Sequence, residues 1–365
     1  MKPNSLRIAQ IDSLIRGLIT EKKSAGAILG IQVTDNHPVI KTYGFADISM
    51  KKEVDKNHQF RIASITKPFT AVAILKLVED KKLALEDTLD KFFPNFPNGN
   101  EITVYQLLSH TSGIPNWYEA KMPKETPPDF PMCFSRQKFI SKMSPSSLFP
   151  PGTLYSYSNT GYVLLGEIIE MVSGITYENY LQEAIFEPSG MTDTEMEREG
   201  NESEQWVMGY GYDSTLENPF IQPEQYAMPF SAGGLRSTAI DLLRFIEALN
   251  DDKIITKGLR NSAMSYAKVK DGNDVDEDRF YFPEDFKRPD PPSWMQKYGY
   301  GLGFEVMQIH NTEVVSHGGS IAGFRTLLMY IPESSATMIL MTNTGNPGGY
   351  SDITVDLQRL VTELE

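Results

Sequence analysis

Cysteine is nearly absent from this chain of 365 residues, where Cys133 stands alone. No intrachain disulfide can form, and a metal site built from several thiolates is excluded. Histidine is also scarce. His37, His58, His110, His310 and His317 lack the paired spacing that a metallohydrolase helix needs, so no metal is expected. Basic charge is outnumbered, 34 Lys and Arg against 48 Asp and Glu, for a net charge of -14. Nucleic acid and anionic membrane both require a basic footprint, so neither is expected as a main partner. Solubility accounts for the acidity. No apolar run approaches the ~20 residues of a membrane span. Met1-Lys2-Pro3-Asn4-Ser5 leads into a polar amphipathic run rather than the apolar centre of a signal peptide. The expectation is a cytoplasmic protein as the chain is written, and a periplasmic or secreted one if a signal peptide has been removed.

An apolar fraction of 40% supplies a substantial core and argues against disorder. Ile8 to Ile19 has helical periodicity, and Ala27 to Val33 and Val39 to Phe45 read as strands joined across Asp35-Asn36-His37-Pro38. A helix follows Ser64, and a short one covers Thr103 to Leu108. Residues 115–152 show no clear period and read as a long loop with one helix near Arg136 to Met143. Gly161 to Val172 is an apolar helix stopped at Ser173-Gly174, and Thr176 to Phe186 reads as another. Strands are expected over Gly299 to Val306, Glu313 to Ser316, Phe324 to Ile331 and Thr337 to Thr342, before a last helix from Ile353 to Leu364. Strands at both ends with helices between them make an α+β architecture: one antiparallel sheet flanked by terminal helices, with a mostly helical region inserted. A single domain over 1–365 follows, its sheet region from 1–63 and 200–365 and its helical region from 64–200. Asp274, Asp276 and Asp278 mimic the start of a calcium loop, but Arg279 occupies the position that needs glycine, so a solvated loop is expected.

Ser64-Ile65-Thr66-Lys67 carries the strongest chemical signal. A serine one turn before a lysine lies on the same helix face, within reach of its amine. The spacing recurs at Ser49/Lys52, Ser135/Lys138 and Ser265/Lys268, so surroundings must decide. Only Ser64 follows an apolar-rich approach, Phe60-Arg61-Ile62-Ala63, and precedes a run of helix formers with Pro68 where a first helical turn tolerates it. A helix N-terminus also favours developing negative charge. Tyr157-Ser158-Asn159 stands on a loop entering the Gly161 helix, and His317-Gly318-Gly319-Ser320 places two glycines in a strand, a mark of close approach by ligand or backbone.

Ser-x-x-Lys, Tyr-x-Asn and His-Gly-Gly in this order resemble the serine hydrolases that include class C β-lactamases, DD-peptidases and β-lactamase-like esterases, a β-lactamase/transpeptidase-like fold. Leu107-Leu108-Ser109-His110-Thr111-Ser112-Gly113 and Ala232-Gly233-Gly234-Leu235 agree in order as well, and the likeness spans about 8 to 365. It implies that Ser64 is the nucleophile, Lys67 its partner in proton removal, and Tyr157 the donor to the leaving group. Asn159 would orient Lys67 and the substrate, and His317 would line the pocket. Backbone N–H groups of Ser64 and Ser320 would form the oxyanion hole beside Gly318 and Gly319. Either Lys67 or Tyr157 can serve as base once its pKa is lowered from ~10. The likeness departs at Gly318. Relatives carrying Lys-Thr-Gly or His-Thr-Gly use the threonine hydroxyl to bind a substrate carboxylate, so a penicillin or a D-Ala-D-Ala terminus fits this chain poorly unless Arg325 compensates.

The expected activity is therefore acyl transfer through Ser64 on small esters, with a loop wall of Trp117, Tyr118, Phe130 and Phe134. D-amino-acid peptidase, DD-peptidase and class C-type β-lactamase are the alternatives within the class, and a non-catalytic ligand sensor is the alternative outside it. An α/β-hydrolase triad is excluded because its histidine must follow the serine, while Gly318-Gly319-Ser320-Ile321-Ala322 lies after the last histidine. The expected partner is a small-molecule ester, amide or peptide, with no cofactor and an oligomeric state left open.

Overall fold

In the computed structural model, the described residues are 5–33, 37–116, 147–198, 203–211, 220–221, 229–282, 292–345 and 347–364. The expected helix near Arg136 to Met143 and the aromatic loop wall lie outside them. Eight strands form the main antiparallel sheet: β1 (Gly26–Val33), β2 (Val39–Asp47), β3 (Lys52–Glu53), and, from the other end of the chain, β9 (Met295–Tyr300), β10 (Glu305–Ile309), β11 (Thr312–Ile321), β12 (Phe324–Ile331) and β13 (Ala336–Thr342). Their order is β3-β2-β1-β13-β12-β11-β10-β9, so the two chain ends meet where β1 pairs with β13 in the middle of the sheet. A smaller sheet joins β4 (Phe60–Arg61), β5 (Glu195–Met196) and β8 (Leu235–Ser237) in the order β4-β8-β5. Between these come the short pair β6 (Tyr210–Gly211) and β7 (Phe220–Ile221).

Alternation of side chains sorts the central strands into two cores. Ala27, Leu29, Ile31 and Val33 of β1 join Ala336, Met338 and Leu340 of β13 against Ile11, Ile15 and Leu18 of the first helix, α1 (Ser5–Thr20), and Leu357 and Val361 of the last helix (Pro347–Val361). Ile28, Ile339 and Met341 point the other way, into the helical region. The spacing of Ile11, Ile15 and Leu18 is that of one helical face. Tyr43 Oη and Lys41 Nζ each donate to Asp12 Oδ1, at 2.8 and 3.0 Å, and tie α1 to β2.

In the helical region, α2 (Thr66–Glu79) is buried on all sides from Thr66 to Leu75 and so forms its centre. Around it lie α3 (Val104–Leu108), α4 (Asn159–Ser173) and α5 (Tyr177–Leu181), the last running into a π turn over Gln182–Phe186. Thr103 caps α3 in a reciprocal capping box with Gln106, and the Ser158 hydroxyl caps α4 by accepting the Gly161 N–H at 3.2 Å. A further helix, α6 (Ala239–Asn250), packs on the central sheet although it falls in the part of the chain expected to be sheet.

Two expected strands need correction. Gly299 to Val306 is not one strand but the end of β9, a turn and the start of β10, because Gly303 takes φ +86° and lies where a Cβ would come within 2.4 Å of Ala71 Cβ. Glu313 to Ser316 does not end at the histidine: β11 runs on through His317, Gly318 and Gly319 to Ile321, paired throughout with β12. The cleft bounded by the β4–α2 junction, the start of α4 and the end of β11 collects the residues singled out above.

Candidate active site

Ser64 sits in a 3₁₀ turn, Ala63–Ile65, wedged between β4 and α2. The turn is held from three sides. Ile62 N–H bonds Leu235 O at 3.0 Å, Ile65 N–H bonds Ile62 O at 3.1 Å, and the Thr326 hydroxyl donates to Ile62 O at 2.9 Å. Ala63 is forced to φ +49°, a conformation that costs a residue with a Cβ. Ser64 stays partly exposed while its neighbours Ala63 and Ile65 are buried.

Lys67, on the first turn of α2, is fully buried. Its Nζ lies 3.1 Å from Ser64 Oγ, 2.6 Å from Asn159 Oδ1 and 2.6 Å from Ala232 O. The two shortest partners are carbonyl oxygens, which only accept, so both must receive N–H bonds from the amine. The third position faces a hydroxyl, which can accept from an ammonium or donate to a neutral amine. Burial pushes the Lys67 pKa well below that of an ordinary lysine and so favours the neutral amine. In that state the lone pair has one direction left, toward Ser64 Oγ.

The Tyr157 ring centroid is 4.7 Å from Lys67 Nζ, and the Tyr162 ring centroid is 5.5 Å from it. Two side chains of the segment after α3 grip the backbone around Tyr157. His110 Nδ1 accepts the Ser158 N–H at 3.0 Å, Asn116 Oδ1 accepts the Asn159 N–H at 3.0 Å, and Asn116 Nδ2 donates to Tyr157 O at 3.4 Å. Tyr162 Oη donates to Leu108 O at 2.8 Å, linking α4 to the end of α3.

From the sheet side, β11 presents His317 to Ser320. His317 is 1% exposed. Its Nδ1 lies 2.7 Å from Gly318 O, an acceptor only, so Nδ1 carries the proton and Nε2 accepts from Tyr300 Oη at 3.0 Å. Burial pushes this imidazole down to about 3, which agrees with a neutral ring. Gly319 is there for contact. A Cβ on it would lie 2.1 Å from Thr326 Oγ1 and 2.3 Å from Ile62 O. That closeness brings the Gly319–Ser320 main chain to the turn that carries Ser64. Gly318 is different, with nothing within 4 Å of where its Cβ would be. Arg325 directs its guanidinium to the carbonyls of Ile321, Phe324 and Gly345, at 3.2, 2.9 and 3.1 Å.

Ser64, Lys67, Tyr157, Asn159 and His317 thus converge on one cleft. The competing tetrads do other work: Ser49 and Lys52 bond Asp47 and Glu204, while Ser265 and Lys268 bond Asn261 and Asp274. Ser135/Lys138 lies outside the described residues. Tyr-x-Asn also occurs at Tyr177/Asn179, but there Tyr177 is a core residue whose hydroxyl meets Thr70 Oγ1 at 2.7 Å. Sequence reading missed the Ala232 carbonyl, Asn116, Tyr162 and Tyr300, and left His110 in a motif without a role. A chain order of motifs finds side chains, whereas a carbonyl that receives a lysine leaves no mark in residue identity.

Comparison with known proteins fits this arrangement. The Beta-lactamase family matches residues 11–363. Penicillin-binding protein 4* of Bacillus subtilis (strain 168) is 29% identical over 321 residues, which cover 83% of this chain and 64% of that protein. A D-aminopeptidase of Cereibacter sphaeroides is 23% identical over 350 residues, 93% of this chain and 60% of that one. This chain therefore spans less than two thirds of either relative. Among solved structures, the D-amino acid amidase from Ochrobactrum anthropi SV3, complexed with L-phenylalanine amide, superposes with a TM-score of 0.77 at 25% identity, covering 98% of both chains.

Proposed function

The chain belongs to the beta-lactamase family, and on that premise we propose that it is a serine hydrolase working through an acyl-enzyme on Ser64. The observation that carries this reading is the Lys67 amine, 3.1 Å from Ser64 Oγ, with its two other close partners both obligate acceptors. Neutral Lys67 takes the Ser64 proton as the hydroxyl attacks the substrate carbonyl. The negative charge that develops on the carbonyl oxygen falls to the N–H groups of Ser64 and Ser320. Tyr157, beside the same amine, passes a proton to the leaving group. Asn159 keeps Lys67 aimed, and His317, locked by Tyr300, closes the floor behind Tyr157. Water then attacks the acyl-enzyme and releases the acid.

Small esters are the first substrate choice, because they ask for little beyond nucleophile, oxyanion hole and proton donor. Amides of D-amino acids are the second reading, favoured by the names of two similar proteins, a D-aminopeptidase and a D-amino acid amidase. Gly318 supports both over substrates with a free carboxylate. No packing demand accounts for that glycine, and neither an ester nor an amino acid amide presents a carboxylate for a hydroxyl there to bind. The test is a parallel assay of p-nitrophenyl butyrate, D-phenylalanine amide, a D-Ala-D-Ala peptide and a chromogenic cephalosporin, with wild type and Gly318→Thr. Wild type is expected to cleave the first or second fastest, and the variant to gain on the last two. Rapid cephalosporin turnover by wild type with negligible ester and amide cleavage would overturn the ordering. Absence of any reaction of Ser64 with a fluorophosphonate would favour a non-catalytic sensor instead.

A further inference from the structure

The backbone on either side of Tyr157 depends on one buried histidine. His110 follows α3 in the left-handed conformation, at φ +58°, and is 1% exposed. Its carbonyl accepts the Ser156 N–H at 2.9 Å and its Nδ1 accepts the Ser158 N–H at 3.0 Å, so the two amides flanking Tyr157 both end on His110. A backbone N–H can only donate, so Nδ1 bears no proton and the neutral ring carries its hydrogen on Nε2. That Nε2 is buried without a hydrogen-bond partner among the described residues. Tyrosine rings surround it instead: Tyr157 at 4.4 Å between centroids, Tyr300 at 4.8 Å, Tyr162 at 4.9 Å and Tyr155 at 5.8 Å.

Packing alone does not explain an imidazole here. A buried donor without an oxygen or nitrogen partner costs roughly 1–3 kcal/mol, which an apolar side chain of similar size would avoid. The Nδ1 bond is what an apolar residue could not make. Burial pushes the His110 pKa well below the usual range, so the ring stays neutral as that bond requires.

Resting on the reading of Tyr157 as proton donor, we propose that His110 is a positioning residue, whose Nδ1 holds the Tyr157 phenol in place beside the Lys67 amine. It touches neither substrate nor reacting atoms and acts through Tyr157. Its effect must therefore follow the leaving group, since an alkoxide needs the tyrosine's proton and a nitrophenolate hardly does.

The experiment compares kcat/KM for ethyl butyrate and p-nitrophenyl butyrate, which form the same acyl-enzyme, in wild type, Tyr157→Phe, His110→Asn and His110→Gln. Asparagine places its Oδ1 near the position of Nδ1 and tolerates positive φ, whereas the glutamine amide reaches the position of Nε2. His110→Gln is expected to lose about 100-fold on the ethyl ester, the scale of a misplacement of about 1 Å, and far less on the nitrophenyl ester. Tyr157→Phe should show the same split, and His110→Asn should stay within about threefold of wild type on both esters, below the usual contribution of a positioned acid. Wild-type behaviour of His110→Gln beside a split in Tyr157→Phe would overturn the positioning role alone. Equal loss in His110→Asn and His110→Gln would do the same. No split in Tyr157→Phe would instead remove the proton-donor reading, and this proposal with it. Should the glutamine variant fail to fold, His110→Gly replaces it, since glycine accepts the positive φ and supplies no acceptor: an ethyl-ester-selective loss there that His110→Asn does not show supports the role, and wild-type behaviour of His110→Gly refutes it.

Discussion

Replacing Gly319 by alanine adds one methyl group at the point where β11 meets the Ser64 turn. The new Cβ would stand 2.1 Å from Thr326 Oγ1 and 2.3 Å from Ile62 O, against the 3.0 Å that real Cβ contacts respect. Something must move by roughly 1 Å, and a shift of that size near reacting groups costs about 100-fold in rate. Thr326 Oγ1 cannot simply rotate away, because it donates to Ile62 O. Ile62 O cannot shift without taking along the turn that holds Ser64. In an open strand position alanine would be favoured over glycine by about 0.5–1 kcal/mol. Overpacking reverses the sign and costs about 1–3 kcal/mol. Gly318→Ala supplies the internal control, since its Cβ meets nothing within 4 Å. Thermal melts and the rate of fluorophosphonate labelling of Ser64 are the assays. Gly319→Ala should melt a few degrees lower and label about 100-fold more slowly or worse, the scale of losing an oxyanion donor, while Gly318→Ala melts at or slightly above wild type and labels at the wild-type rate. Equal behaviour of the two variants, whether both harmless or both damaging, would refute the argument from close approach.

Two further perturbations probe the base and its platform. The lowered pKa of Lys67 means that it loses its proton below the ordinary lysine range, so kcat/KM should rise with pH through that depressed value. Lys67→Arg, which cannot deprotonate, should be inactive, and a rate that begins to rise only near pH ~10 would contradict the assignment. The same shift has a stability consequence: between the folded pKa and ~10.4 the unfolded chain binds the extra proton, so Lys67 makes folding more favourable as pH rises, as titrated denaturation of wild type and Lys67→Met should show. Beneath the turn, Glu197 pairs with two buried arginines, Arg61 Nε at 2.7 Å and Arg236 at 2.8 Å, with side-chain exposures of 3%, 2% and 0%. Glu197→Gln leaves both guanidinium groups in low dielectric without that charge and should cost about 3–5 kcal/mol in denaturant unfolding; a near-wild-type midpoint would show that another group balances them.

The sheet and the order of its helices were legible because their residues obey a single period. Ala27, Leu29, Ile31 and Val33 alternate, and Ile11, Ile15 and Leu18 repeat at helical spacing, so each segment declares the face it buries. Gly299 to Val306 did not, since a hairpin turned on Gly303 reads as one strand until the positive φ is known. The helix Ala239–Asn250 is absent from the expectations although its signals were ordinary: the Thr238 hydroxyl accepts the Asp241 N–H, and Leu242, Leu243, Phe245, Ile246 and Leu249 form the buried face. In the cleft, Ser64 and Lys67 stood out because one local turn joins them. Lys67's contact with Ala232, 165 residues away, has no local signature. His110 and Asn116 act on main-chain amides that any residue would possess, so their service to Tyr157 and Asn159 shows only in the folded chain.

The most direct test of the central claim is peptide mass spectrometry of the protein after brief exposure to a fluorophosphonate, run beside ester and amide turnover for wild type and Ser64→Ala. The account requires one adduct, on Ser64, with labelling and turnover both lost in Ser64→Ala while its melting temperature stays near that of wild type. An adduct on another residue, or full turnover in Ser64→Ala of any substrate that wild type cleaves, would contradict it.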